Sequence, residues 1–350
     1  MMNRLKELCE LPGVSGCEDA VRAYILDKLG ESPAEIDVRI DPLGSVIAEV
    51  TGKKRADTRL LFAAHMDEVG FLVTDATDEG FLRFTPVGGI DPRVVFGKRV
   101  RVGEHFGVIG GKATHQCSGE EKTNVPSLDD MLIDVGASSR EEALVIAQPG
   151  DPVIFDGAYR ELEGGLFKAR ALDDRAGCAL LLELVREVPE YDIVLAFTVQ
   201  EEIGLRGAKT AAFSVDPDVA VVVDSTTAAD TAGVPSHKQV CRVGGGPVVS
   251  FMDARTLYDR PLYACIRRLA EENGIETQTK TMVAGGNDAG AIHQSRGGVR
   301  TAAVSLPCRY IHSSSCVLKK SDLEATRSLL LLLARELACK GECQTEEGRS

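Results

Sequence analysis

Four short apolar runs constrain the fold of this chain more than any other feature: Leu60–Ala64, Ile193–Val199, Val219–Val223 and Ala302–Leu306. Each has the length of a strand and lacks the alternation of a half-exposed one, so each reads as a strand buried on both faces. Strands of that kind need helices above and below them. The material between the runs supplies these. Asp173 to Val188 carries Ala179-Leu180-Leu181-Leu182 and Leu184-Val185, a buried-helix pattern. Ser15 with Glu18, and Ser321 with Glu324, are spaced as capping boxes, which predict helices running to about Leu29 and about Ala338. The polar tail Lys340–Ser350 is expected to fray. The expected class is α/β, with a mainly parallel sheet flanked by helices.

The middle of the chain departs from that pattern. From Gly70 to Gly164 the helical periodicity disappears and Gly and Pro punctuation becomes dense, at Pro86, Gly88, Gly89, Pro92 and Gly97 among others. Short β-type pieces lie between, such as Phe81–Phe84, Arg99–Val102 and Val153–Phe155. The expectation is a small β-domain over 70–164 inserted into an α/β domain made of 1–69 and 165–350. Within the insert, Ser118–Asp130 is polar and reads as a mobile loop.

Composition narrows the class of partner. The 350 residues carry a formal charge of −13, and the densest basic run is only Lys53-Lys54-Arg55, which excludes a general polyanion binder. No apolar stretch approaches the roughly 20 residues that cross a bilayer. Ten cysteines are scattered without a CxxC pair in a chain too long to need staples. The start, Met1–Glu7, has no apolar core of a signal peptide. The expectation is a reduced, cytoplasmic protein that meets neither nucleic acid nor membrane.

Each apolar run is followed by a residue able to ligate a metal. Leu60–Ala64 leads to His65-Met66-Asp67, Ile193–Val199 to Gln200-Glu201-Glu202, Val219–Val223 to Asp224, and Ala302–Leu306, after a few residues, to His312. Asp173-Asp174 opens the buried helix. Ligands in open α/β sheets gather outside the carboxyl ends of strands, so these positions can converge on one crevice. Singly, each has a bland reading: a capped histidine, an exposed acid pair, or acids complementing a helix dipole. Together, buried carboxylates from several segments would repel one another without a cation. His65, His312, Asp173, Glu202 and Asp224 offer two neutral nitrogens and three carboxylates. Two divalent cations would balance those three carboxylates and a bridging hydroxide, whereas one would leave excess negative charge. Imidazole and carboxylate without thiolate suit Zn, Co or Mn. Glu201 is then left over as a general base for the water. Adjacent strand residues face opposite ways, so the chain must bend for both glutamates to act, and Gly204 suggests where. Asp67 is placed to accept the second ring N–H of His65.

Ala64-His65-Met66-Asp67-Glu68-Val69-Gly70, Ala171-Leu172-Asp173-Asp174-Arg175, Gln200-Glu201-Glu202-Ile203-Gly204, Val223-Asp224 and Arg309-Tyr310-Ile311-His312-Ser313 occur in the order of the M42 metallo-aminopeptidases, and the chain resembles that family over nearly its whole length. Gly285–His293 also resembles a family segment, with Asn287 where Thr is expected. The resemblance implies a zinc-exopeptidase-like α/β fold with a mixed, mainly parallel sheet and a small β-barrel-like insert. It implies His65 and Glu202 on one metal, His312 and Asp224 on the other, Asp173 bridging, Glu201 as base, and a cis Asp173–Asp174 peptide. It further implies that the insert mediates assembly, through dimers, into a tetrahedral homo-dodecamer, and that short peptides are the substrates. His115-Gln116 in the insert reads as surface loop and His293 as structural, while His105 and His237 have no argued role.

Three other functions fit parts of this pattern. A small-molecule amidohydrolase or deacylase would keep the metals and change the substrate. A non-catalytic assembly protein would be indifferent to Glu201→Gln. Family members described as glucanases give a third, which predicts β-glucan cleavage insensitive to EDTA. Preference for an acidic substrate side chain would need a cation in its pocket. Lys238 and Arg242, beside the Gly244–Pro247 turn, are the candidates, each with solvation as its plainer role.

Overall fold

The computed structural model of the chain describes residues 1–283 and 285–339, so the expected frayed tail lies outside the described residues. An eight-stranded sheet forms the body, in the order 36–40, 46–50, 193–198, 60–65, 219–227, 300–308, 248–249, 278–279. The four apolar runs are its four central neighbours and all are parallel to one another. The strands that flank this centre, 46–50 and 248–249, run antiparallel to it, which makes the sheet mixed.

Both faces of the central strands are buried, for the reason the uninterrupted apolar runs suggested. Leu60, Phe62 and Ala64 pack on one side with Phe197, Val221 and the helix Leu172–Glu183. Leu61 and Ala63 pack on the other with Ala196, Val222 and the helix Arg206–Val215. Each such large side chain contributes roughly 1.5–3 kcal/mol by leaving water, so the strand register is firmly held. Thr198 stands opposite His65, and Asp224 opposite Ser305, so the strand ends share one edge.

Six strands between Gly70 and Phe155 close into a barrel, in the order 70–76, 82–87, 132–134, 105–110, 99–102, 152–155. Its core centres on Phe71, which meets Phe84 and Phe155 edge-on at ring-centroid distances of 5.0 and 5.3 Å. Arg160–Glu161 pairs outside the barrel, with Leu166–Ala169, in a small sheet completed by Cys316–Lys319. The polar stretch 118–130 is exposed almost throughout and ends in one turn of 3₁₀ helix at Leu128–Asp130.

Neither capping box forms. The helix expected at Ser15 begins at Asp19, and neither Ser15 nor Glu18 bonds to its free amides. Ser15 donates instead to Asp67, and Glu18 accepts from Gly16 and Gln200. The last helix, Lys320–Glu336, likewise has no side-chain cap, and its buried Asp322 accepts the amides of Gly244 and Gly246 at 2.6 and 2.9 Å. At the first helix, tertiary partners have taken the side chains that local spacing assigned to its end. The helix expected to reach Val188 stops at Glu183. Eight cysteines among the described residues are free thiols, but Cys265 is disulfide-bonded, which departs from the expectation of a fully reduced chain. Among the described residues no helix is long and apolar enough to cross a membrane.

Candidate metal centre

The edge where the parallel strands end brings together all five residues singled out as ligands. Asp173 lies between two imidazoles. His65 Nε2 is 3.1 Å from its Oδ1, and His312 Nε2 is 3.6 Å from its Oδ2. His312 Nε2 is also 3.2 Å from Glu202 Oε2, and His65 Nε2 is 3.8 Å from Asp224 Oδ1. Ligand atoms of His65, Asp173 and Glu202 lie within 4.8 Å of one another, as do those of His65, Asp174 and Asp224. Of Glu202 and Asp224, the one beside His65 Nε2 is Asp224 and the one beside His312 Nε2 is Glu202, the reverse of the pairing the resemblance implied.

Backbone conformation delivers these side chains. The strand Ile193–Thr198 ends, and Gln200 turns the chain at φ 57°, so the bend that lets Glu201 and Glu202 act together is at Gln200 as well as at Gly204, whose φ is 120°. Ala171, Leu205, Tyr310 and His312 are further non-glycine residues with positive φ around the same edge. Such conformations cost on the order of 1 kcal/mol each and persist only where the surroundings hold them. The Asp173–Asp174 peptide is cis.

Carbonyl groups hold both imidazoles in one tautomer. His65 Nδ1 lies 3.1 Å from the carbonyl oxygen of Asp67, and His312 Nδ1 lies 2.7 Å from that of Gly89. A carbonyl only accepts, so each Nδ1 carries a proton, and each Nε2 is the ring nitrogen turned toward the carboxylates. Asp67 thus orients His65 chiefly through its backbone, with its carboxylate at 3.4 Å from Nδ1. That carboxylate is engaged elsewhere, accepting from the Ser15 hydroxyl at 2.6 Å and the amides of Glu201 and Glu202 at 3.0 and 3.1 Å.

The electrostatics show a shortage of positive charge. Burial pushes the carboxyls of Glu201, Asp224 and Glu202 up, and for Asp224 the neighbouring Asp173 and Asp174 add to it. Burial also opposes ionisation of Asp173, but the two imidazoles outweigh it and hold its carboxyl below the ordinary range. His312 is desolvated, yet its bonds to Asp173 and Glu202 raise it to about 12. Beneath the site, Glu68 pairs with Arg170 and Arg175, all three buried, so these cations are already matched. A small opening lined by Glu68, Arg170 and Cys316 reaches Asp173, Glu202 and His312.

Several residues at the site escaped sequence reasoning. Gly89 lay among the punctuation of the insert. Asp288 lies in the segment already quoted, takes the Thr198 hydroxyl, and is pushed by burial to about 6. One oxygen of Asp288 and one of Asp174 are buried with no hydrogen-bond partner. Asn287 is buried and bonds Tyr258. His293 bonds the Ala289 carbonyl within its own helix. His105, His115, Gln116, His237, Lys238 and Arg242 are all exposed.

The family model for M42 glutamyl aminopeptidase matches residues 44–329. A putative aminopeptidase of Acetivibrio thermocellus is 39% identical over 95% of this chain and 97% of its own length. The lysyl aminopeptidase of Pyrococcus furiosus is 34% identical over 95% and 96%. Among solved structures, the TET aminopeptidase of Thaumarchaeota archaeon SCGC AB-539-E09 superposes with a TM-score of 0.91 at 35% identity, covering 96% of each chain. The TET1 peptidase of Pyrococcus horikoshii, described as assembling into a tetrahedron or a large octahedral shell, gives 0.83 at 38% identity over 96% and 99%. With the motifs, the fold and the matched length in agreement, the chain belongs to the M42 family of aminopeptidases.

Proposed function

We propose that the chain is a dinuclear metal-dependent aminopeptidase that removes N-terminal residues from short peptides. The observation that carries this reading is Asp173, with one imidazole Nε2 on each of its oxygens and a further carboxylate beside each imidazole. The donor set fits two divalent ions: each Nδ1 is held by a carbonyl so that each Nε2 faces the carboxylates, and the crowded buried carboxylates have too few cations. His65 and Asp224 would hold one ion, His312 and Glu202 the other, and Asp173 both. This replaces the partition taken from the resemblance. Zn or Co suits the set best, with Mn possible in the same ligands.

Bound there, the ions would polarise the scissile carbonyl and lower the pKa of water. The protein's own groups do the rest. Glu201 takes a proton from the attacking water at its carboxylate and delivers it to the departing amine. Burial raises its carboxyl, which makes it a better base. Asp67 acts through the amides of Glu201 and Glu202 and, by its carbonyl, fixes the His65 tautomer. The barrel lends the Gly89 carbonyl to His312, and we assign the segment 70–164 the further role of assembly into a tetrahedral homo-dodecamer in the cytoplasm.

The test is a panel of aminoacyl p-nitroanilides, run beside N-acetylated equivalents after loading with Zn or Co. Hydrolysis of free-amine substrates alone supports an aminopeptidase. Activity confined to blocked substrates would make the protein a deacylase, and EDTA-resistant cleavage of a β-glucan would make it a glucanase. Glu201→Gln is expected to lower kcat by about 10²–10⁴ while leaving two metal equivalents per chain. Native mass measurement checks the dodecamer.

A further inference from the structure

Three consecutive amides at the site point at buried carboxylates instead of a neighbouring strand. Those of Glu201 and Glu202 bond Asp67. The amide of Gln200 bonds Glu18 Oε1 at 3.1 Å, across 182 residues of sequence. Glu18 is 3% exposed, and the same oxygen accepts the Gly16 amide at 2.8 Å. The Ser15 hydroxyl closes the arrangement on Asp67. The strand has ended at Thr198, and the positive φ of Gln200 turns its amide out of the ladder, so that half-buried donor takes its acceptor from elsewhere. Only a segment already pinned to the site can supply one. The Glu68 amide bonds the Gly13 carbonyl at 2.9 Å, and Val14 bridges Glu68 in parallel.

Helix capping does not account for Glu18. It stands at the cap position of Asp19–Gly30, but its side chain makes no bond to that helix. Both of its bonds go to the turn before the helix and to the turn that carries the acid pair. A carboxylate accepts from amides about twice as strongly as a neutral oxygen, which suits a donor whose direction decides where the next two side chains point.

We propose that Glu18 is a positioning residue for the Glu201–Glu202 pair, forming with Ser15 and Asp67 a clamp of two carboxylates on three successive amides. The proposal rests on the roles assigned above to Glu201 and Glu202. Glu18 touches neither substrate nor metal; it acts through the backbone of Gln200.

The experiment compares Glu18→Ala, Glu18→Gln and Asp19→Ala in the metal-loaded full chain. For Glu18→Ala, kcat is expected to fall about 10–100-fold, because sub-ångström misplacement of a catalytic group is expensive, with KM within about two-fold. Hydrogen exchange at the amides of residues 200–202 should quicken, and the visible spectrum of the Co-loaded protein should shift. Glu18→Gln keeps an accepting oxygen and should recover kcat to within about three-fold of wild type. Asp19→Ala perturbs the same helix start at an exposed side chain and should leave kcat and exchange unchanged. Wild-type kcat and exchange in Glu18→Ala would overturn the proposal, as would equal losses in Asp19→Ala. If the wild-type protein cleaves no peptide, the functional reading fails, and exchange and the Co spectrum still decide the clamp.

Discussion

The two imidazoles of the site are held in opposite ways. His65 is the last residue of a central strand, 3% exposed, and its ring is oriented by a carbonyl two residues further on. His312 lies in a loop at φ 60°, its side chain 33% exposed, and its ring is oriented by Gly89, 223 residues away beside the barrel. One half of the centre is thus built by the sheet alone. The other half exists only because the barrel lies against it. A strand buried on both faces has one register, and everything at its end inherits that precision. A loop has no such template and borrows its geometry from whatever packs on it.

Asp173 belongs to both halves, so its loss should have the largest effect. Asp173→Asn is expected to lower kcat/KM on the order of 10³-fold and to release both metal equivalents, read by elemental analysis. Retention of one ion at full affinity would show that the two halves do not share this carboxylate. Next in size is Phe71→Ala, which empties the centre of the barrel core and should cost about 3–5 kcal/mol. If the comparison holds, activity falls with the His312 half while amide exchange in the strands 60–65 and 219–227 stays slow. Equal loosening of those strands would contradict it.

A smaller change acts where the halves meet. Gly88 has φ 82°, and a Cβ there would come within 2.8 Å of Val69 Cγ1 and 3.2 Å of Glu202 Cβ. Gly88→Ala should displace the Gly89 carbonyl from His312 and reduce kcat roughly 10-fold, with Tm lowered by a few degrees because alanine is strained at this φ. The smallest effect concerns the base of the His312 loop, where Arg309 grips Asp230 through bonds of 2.6 and 2.8 Å. Burial works against ionisation of Asp230, yet Arg309 and the Val243 amide hold its carboxyl below the ordinary range. A group lowered in the folded state stabilises it above the unfolded carboxylate pKa and loses that contribution as pH falls through the folded value. The stability gap between wild type and Asp230→Asn should therefore be about 1 kcal/mol at pH 6–8 and close below about pH 4, as thermal melts across pH would show. A gap that widens in acid would refute the assignment.

These differences also explain what could be read in advance. The central strands, the convergence of His65, Asp173, Glu202, Asp224 and His312, and a β-rich middle segment were legible because uninterrupted apolar runs and dense glycine punctuation each have few structural solutions. The local readings failed where a side chain had two suitors. Ser15 and Glu18 have the spacing of a cap and Asp322 the chemistry of a helix start, but each bonds a group far away in sequence. Asp67 was rightly drawn to His65, though its carbonyl is the closer contact and its carboxylate serves two amides. The partition of ligands around Asp173 has no trace in their order along the chain.

By itself, the sequence determined that buried parallel strands would end in histidines and carboxylates, because periodicity and residue chemistry are local properties. Only the tertiary structure decided which carboxylate faces which imidazole, which tautomer each ring holds, and that Gly89 and Glu18 belong to the site. Those are directions and distances between segments remote in sequence, and a hydrogen bond made across 182 or 223 residues leaves no periodic signal in either partner's neighbourhood.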